Sequence, residues 1–69
     1  MIVVITGSNG FSAYYLARFI KERGLANRVI GIDVEDEGRN NFVDEYFSLD
    51  HFDEFGQTIK AMHDDVRFF

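Results

Sequence analysis

"VVITGSNGFSAYYLARFI", residues Val3–Ile20, is the stretch whose reading decides the fold. A short apolar run meets two glycines, Gly7 and Gly10, and an amphipathic pattern follows them. Ile2 to Ile5 are four consecutive β-branched residues with no polar residue on either face. Such a run suits a central parallel strand covered on both sides. Gly7-Ser8-Asn9-Gly10 then supplies turn chemistry. From Phe11 to Arg23 a helical period places Phe11, Tyr15 and Phe19 on one row, with Leu16 and Ile20 adjoining. Arg18, Lys21, Glu22 and Arg23 take the other side, their positive charges near the C-terminal end, where they suit the helix dipole. Gly24 stands where a C′ glycine would end that helix.

Outward from this stretch, Arg28–Val34 ("RVIGIDV") is a second apolar strand that contains Asp33 near its end. The acidic "EDEGRNN" that follows reads as a loop without a helix, and Phe42–Leu49 as a third strand. Phe52, Phe55, Ile59 and Met62 fall on one face of a second helix and read as core. His63-Asp64-Asp65 breaks it, and "VRFF" (66–69) opens a fourth strand. The order β-α-β-β-α-β favours an α/β fold with a parallel sheet and right-handed crossovers. The link from the second strand to the third is short for a parallel crossover, which takes a dozen or more residues. A hairpin there, giving a small α+β fold, is the alternative.

Composition bounds the function. The chain has 69 residues, a single small domain, with 46% hydrophobic residues, eight Phe and no Cys. A domain of this size buries only about 60% of its unfolded surface, so it is held by packing, with help from a ligand or partner chain. The net charge of −5, from 12 acidic and 7 basic residues, argues against non-specific nucleic-acid binding. No apolar stretch approaches the roughly 20 residues of a membrane span. The opening Met-Ile-Val-Val-Ile lacks a basic n-region, which predicts cytoplasmic residence. His51 lies beside Asp50 and Asp53, but helix-start roles explain these acids better than a metal does. Asp50 would serve as N-cap and Asp53 would suit the dipole. His63 near a helix end has a dipole explanation as well.

Three features together predict a nucleotide site. A parallel strand delivers the turn to the carboxyl edge of the sheet, where ligands bind in open α/β folds. Gly7 permits the tight turn, and Gly10 lets backbone approach a pyrophosphate aimed at the helix N-terminus. Asp33 follows Gly10 by 23 residues, close to the ~20-residue spacing at which an acid accepts the adenosine ribose hydroxyls. An acid there favours NAD over NADP, whose 2′-phosphate it repels. Arg39 could offset that repulsion, but Glu35, Asp36 and Glu37 crowd the same loop.

With these residues in view, the chain resembles the N-terminal part of the extended short-chain dehydrogenases/reductases, the NAD-dependent epimerase/dehydratase family. Their Thr-Gly-x-x-Gly-x-x-Gly opening is matched by Thr6-Gly7-Ser8-Asn9-Gly10-Phe11-Ser12-Ala13. "VIGIDV" (29–34) is similar to their second strand with its ribose-binding acid. "FSLDHFDEF" and "DDVRFF" are more weakly similar to their third strand, next helix and fourth strand. The resemblance implies a partial Rossmann fold, a four-stranded parallel sheet in the order 3-2-1-4 with about one helix per face. A short link before the third strand is usual in that family. It implies NAD as cofactor, held by Gly7, Ser8, Asn9, Gly10, Phe11, Ser12 and Asp33, with Ser48 and Leu49 at the adenine. Ala13 replaces the third glycine, Ser12 stands where an aliphatic residue is common, and Ser48-Leu49 where Asp-Leu is common.

The family's catalytic Tyr-x-x-x-Lys pair is not met within these residues. Tyr14, Tyr15 and Tyr46 are followed four positions on by Arg18, Phe19 and Asp50. The chain thus reads as a truncated cofactor-binding portion of an enzyme acting on a sugar nucleotide or similar substrate, without a catalyst of its own. A second expectation is that the 66–69 strand, at the sheet edge with Phe68 and Phe69, pairs with another copy of the chain.

Overall fold

The structure, a computed structural model, describes residues 1–61 and 65–69, and for Phe52 the backbone alone. Met62, His63 and Asp64, and so most of the expected helix break and part of the expected second apolar face, lie outside the described residues. Strand β1 (Ile2–Thr6) leads into helix α1 (Phe11–Glu22), then strands β2 (Arg28–Asp33) and β3 (Glu45–Ser48). A 3-10 turn, Leu49–His51, precedes helix α2 (Phe52–Lys60), and strand β4 (Val66–Phe68) completes the order. The four strands form one sheet, β3-β2-β1-β4, with every pair parallel. This is the α/β arrangement of a partial Rossmann-like fold, and it excludes the hairpin alternative.

β1 sits in the middle because its four apolar residues, Ile2–Ile5, cannot face water on either side. Ile2, Val3, Val4 and Ile5 are each 2% exposed or less, and burying such side chains contributes about 1.5–3 kcal/mol apiece. Alternation sends Val3 and Ile5 to one face, against Val29 and α1, and Ile2 and Val4 to the other, against Ile30, Ile32 and Phe55 of α2. The two helices therefore take one face each.

The α1 side is where the structure departs most from the sequence reading. Its buried residues are Ala13, Ala17 and Ile20, with Leu16 partly covered. The row Phe11, Tyr15, Phe19 lies on the opposite side, and Phe11 is 79% exposed. Small side chains let the helix axis approach the β-branched surface closely, a packing that large rings would prevent. The rings instead pack among themselves: Phe11 meets Tyr15 edge-on at 5.0 Å, Tyr14 meets Phe42 at 5.4 Å, and Arg23 covers the Phe19 ring. α1 ends as expected on Gly24, at φ +62. The Gly24 N–H donates to the Lys21 carbonyl and the Leu25 N–H to the Ile20 carbonyl, the paired bonds of a Schellman end.

The short β2–β3 link, residues 34–44, crosses without a helix. Phe42 and Val43, expected in the third strand, precede β3 and pack against the α1 cluster, filling that face where a helix would otherwise sit. Asn40 secures the link by donating to the Ser8 and Ala13 carbonyls, both at 3.2 Å. Asp44 closes it, its carboxylate accepting the Val29 N–H at 2.8 Å and the Lys21 ammonium at 2.7 Å. Both β1–β2 and β2–β3 connections step in the same direction along the sheet and lie on the same face, as right-handed crossovers require. The remaining boundary differences are local. Leu49 belongs to the 3-10 turn, and His51 rather than Asp50 occupies the α2 N-cap position, because that turn intervenes between strand and helix. Asp53 does lie in the first turn of α2.

Two outcomes follow from this packing. A Cβ on Gly31 would lie 2.5 Å from the Ser8 Oγ and 3.0 Å from Val43. Chemical denaturation of Gly31→Ala should therefore show a loss of about 1–3 kcal/mol, the range for overpacking. For Asp44, burial opposes its charged form, but Lys21, the Val29 N–H and Arg28 together hold its carboxyl below the ordinary aspartate value. A lowered folded-state value means stabilisation that is complete above the unfolded value, about 3.9, and lost as pH falls through the folded one. The stability difference between the parent and Asp44→Asn should be constant near neutrality and shrink below that pH in parallel denaturation curves.

Candidate functional site

The turn after β1 is built to leave backbone accessible. Gly7 takes φ +65, a left-handed conformation that side chains disfavour, and a Cβ there would meet nothing within 4 Å. The Gly10 N–H donates to the Gly7 carbonyl at 2.9 Å, which closes the turn. A Cβ on Gly10 would sit 3.2 Å from that same carbonyl, so glycine keeps the turn tight. Gly10 is extended and occupies the N-cap position of α1, which carries no side-chain cap and no acidic residue in its first turn. The first-turn amides and the positive end of the helix dipole are left without a countercharge from α1.

An open cleft of about 370 Å³ adjoins this helix end, lined by Thr6, Gly7, Gly10, Phe11, Ser12 and Phe69 among others. Phe69 arrives there because the β1–β4 ladder runs past β4. The Thr6 N–H and Thr6 hydroxyl both donate to the Phe69 carbonyl, and the Phe69 N–H donates to Val4. No local signal in the sequence ties Phe69 to the glycine turn; only the parallel register does. A second groove, about 330 Å³, runs along the outer face of α1 past Tyr15, Phe19 and Arg18. Mid-helix amides are consumed by the helix itself, so it offers a ligand side chains alone.

On the β2 side of the turn, Asp33 is already engaged. Its Oδ2 accepts the Asn9 N–H at 3.0 Å and its Oδ1 the Val34 N–H at 2.7 Å. Ser48 is the register partner of Asp33, so the ends of β2 and β3 lie side by side at the carboxyl edge. The Ser48 hydroxyl accepts the Asp50 N–H at 3.3 Å, and Leu49 beside it is exposed. Ser8, by contrast, faces inward. It is 1% exposed, packs over Gly31, and donates its N–H to the Ile32 carbonyl. Among the described residues its hydroxyl has no hydrogen-bond partner, so Ser8 serves the turn's packing and does not present its side chain to the cleft. Gly7, Gly10, Phe11 and Ser12 thus line the cleft, and Asp33, Ser48 and Leu49 gather at the neighbouring strand ends.

Asn9 joins the two groups. Its side chain donates to Glu35 Oε1 at 3.3 Å and to the Glu37 carbonyl at 3.0 Å, and accepts the Arg39 N–H at 2.7 Å. The acidic loop is folded back over the turn as a result. Arg39 forms an ion pair with Glu35, and the Tyr46 hydroxyl donates to the Glu35 carbonyl. Partial burial, and then the Asp33 and Glu35 carboxylates, raise the Tyr46 phenol above its ordinary value. The surroundings of Asp33 are therefore electronegative, with the loop's one cation already paired.

Among the described residues no three His, Cys, Asp or Glu side chains are grouped to hold a metal. His51 lies 3.9 Å from Glu54. Among the described residues no helix is long and apolar enough to cross a membrane. Compared with known protein families, with curated proteins and with solved structures, the chain finds no match.

Removing the Asn9 side chain should release the loop. In Asn9→Ala, amide exchange at Arg39 should rise markedly. Stability should fall by about 1–2 kcal/mol, the net worth of a few partly exposed hydrogen bonds. The Asn9 backbone bond to Asp33 should persist, so an unchanged exchange rate at Arg39 contradicts the arrangement.

Proposed function

We propose that this chain is the dinucleotide-binding portion of an NAD-dependent epimerase, dehydratase or reductase acting on a sugar nucleotide or a similar substrate. One observation carries the reading. A glycine turn with φ +65 at Gly7 opens onto an uncapped helix N-terminus beside a cleft, and its Asn9 N–H is bonded to Asp33 on the next strand. The residues suit the two ends of such a cofactor. Gly7, Gly10, Phe11 and Ser12 offer backbone and a dipole to a pyrophosphate. Asp33 offers acceptors to the ribose, with Asn9 holding it in place and Ser8 packed under the turn. Ser48 and Leu49, at the strand end beside Asp33, are the residues that would meet the adenine in this reading. The cofactor, when bound, supplies hydride chemistry; these residues hold and orient it.

NAD is favoured over NADP because the electronegative loop around Asp33 repels a 2′-phosphate and because Glu35 occupies Arg39. The family's Tyr-x-x-x-Lys catalyst is not among Tyr14, Tyr15 and Tyr46 and their neighbours, so binding rather than turnover is the activity assigned to these residues. Cytoplasmic residence belongs to this reading. A second reading, self-association through the 66–69 edge strand, is favoured by Phe68 and Phe69, each 60% exposed.

Thermal unfolding with NAD, NADP and AMP tests the binding. NAD at 100 times its dissociation constant should stabilise the chain by about 2.7 kcal/mol, with NADP giving less at equal concentration. Asp33→Asn should reduce the NAD shift and narrow the preference over NADP. If no nucleotide shifts the transition at millimolar concentration, the reading fails.

A further inference from the structure

Of Asn9, Asn27, Asn40 and Asn41, only Asn9 precedes a glycine, and that pairing has a chemistry of its own. In an Asn-Gly step the glycine nitrogen can attack the side-chain amide carbon, because no Cβ hinders its approach. The new N–C bond closes a succinimide ring. The side-chain nitrogen leaves as ammonia, taking up the proton that the attacking N–H gives up. Water then opens the ring: its hydroxyl adds to one of the two ring carbonyls, and its proton goes to the released nitrogen. The product is aspartate or isoaspartate, according to which C–N bond breaks.

The fold favours this reaction electrically and obstructs it geometrically. Gly10 is exposed and occupies the N-cap position of α1, whose first turn carries no acidic residue. The positive end of the helix dipole there favours the anionic nitrogen that must attack. Against this, the Gly10 N–H is committed to the Gly7 carbonyl at 2.9 Å. The amide under attack is also held at both ends. Its Nδ2 donates to Glu35 Oε1 and to the Glu37 carbonyl, and its Oδ1 accepts the Arg39 N–H. A side chain pinned at three points is not free to turn its amide carbon onto the next nitrogen. All three partners belong to the 35–39 segment, which has no apolar side chain and is ordered by polar contacts alone. Such a segment opens locally far more often than the core unfolds, so the loop controls the reaction. Neither product restores the hold. Aspartate at position 9 has no N–H for Glu35 or the Glu37 carbonyl and sets a second carboxylate against Glu35. Isoaspartate adds a methylene to the backbone of the turn that the Gly10–Gly7 bond closes.

We propose that Asn9-Gly10 is a deamidation site gated by the 35–39 loop, and that its modification irreversibly releases the loop from the glycine turn. The inference is independent of nucleotide binding. Incubation at mildly alkaline pH followed by peptide mapping in a mass spectrometer gives the rate of conversion at Asn9. The folded chain should convert at least about tenfold more slowly than the same chain unfolded in guanidinium, the weight of two or more hydrogen bonds broken on opening. Glu35→Ala removes one acceptor of Nδ2 and the partner of Arg39. It should raise the folded-state rate roughly fivefold, the worth of about one hydrogen bond. Arg39→Ala keeps the backbone N–H and loses only the ion pair, so it should raise the rate by less. Circular dichroism establishes that both variants stay folded. In the converted chain, amide exchange at Arg39 should be faster than in the parent. Three results overturn the proposal: equal rates in the folded and unfolded chain, two folded variants that convert like the parent, or a converted chain whose Arg39 amide exchanges as slowly as before.

Discussion

Everything in this small fold depends on a strand that cannot be exposed on either side. The four residues Ile2–Ile5 are buried to 2% exposure or less, so both faces of β1 must be covered and both of its edges paired. With β2 on one edge and β4 on the other, the sheet order follows. With one helix required on each face, the first two connections run on one side of the sheet and the third on the other. The turn after β1 then opens at the carboxyl edge, between two diverging connections, which is where open α/β sheets place their ligands.

The helix that follows the turn is positioned by small residues. Ala13 and Ala17 face the sheet and bring α1 near enough for Ser8 to lie over Gly31 without a Cβ between them. That contact seats the glycine turn on β2, and the Asn9 N–H reaches the Asp33 carboxylate as a result. The core and the candidate site are in this sense one construction: the residues that allow close packing also bring the turn to its acid. The large rings of α1 are displaced outward by the same geometry. They become a surface feature, stabilised by contacts with one another and with Arg23.

The acidic loop illustrates how a polar segment acquires shape without a core of its own. Residues 34–40 contain no large apolar side chain except Val34, which is exposed. Their order comes from Asn9, from Tyr46 and from the Arg39–Glu35 pair. The chain returns to apolar packing only at Phe42 and Val43, which take the place of a crossover helix. A link too short for a helix can therefore still make a parallel connection, provided that one or two side chains fill the layer the helix would have occupied.

The sequence by itself determined the element order, the burial of β1 and the glycine turn. It also determined the C-terminal end of α1 at Gly24 and the placing of Asp33 at a strand end. These properties are local. Consecutive β-branched residues without polar partners, glycine at a positive φ and an apolar run closed by an acid each declare themselves within a few residues. Only the tertiary structure decided which side of α1 is buried, because hydrophobic period cannot distinguish a helix that needs large side chains from one that needs small ones. It alone decided the direction of β3 and the arrival of Phe69 at the cleft, since both depend on register between distant strands. The inward turn of Ser8 and the joining role of Asn9 were decided there too. Hydrogen bonds spanning 24 to 30 residues leave no periodic mark on the chain that makes them.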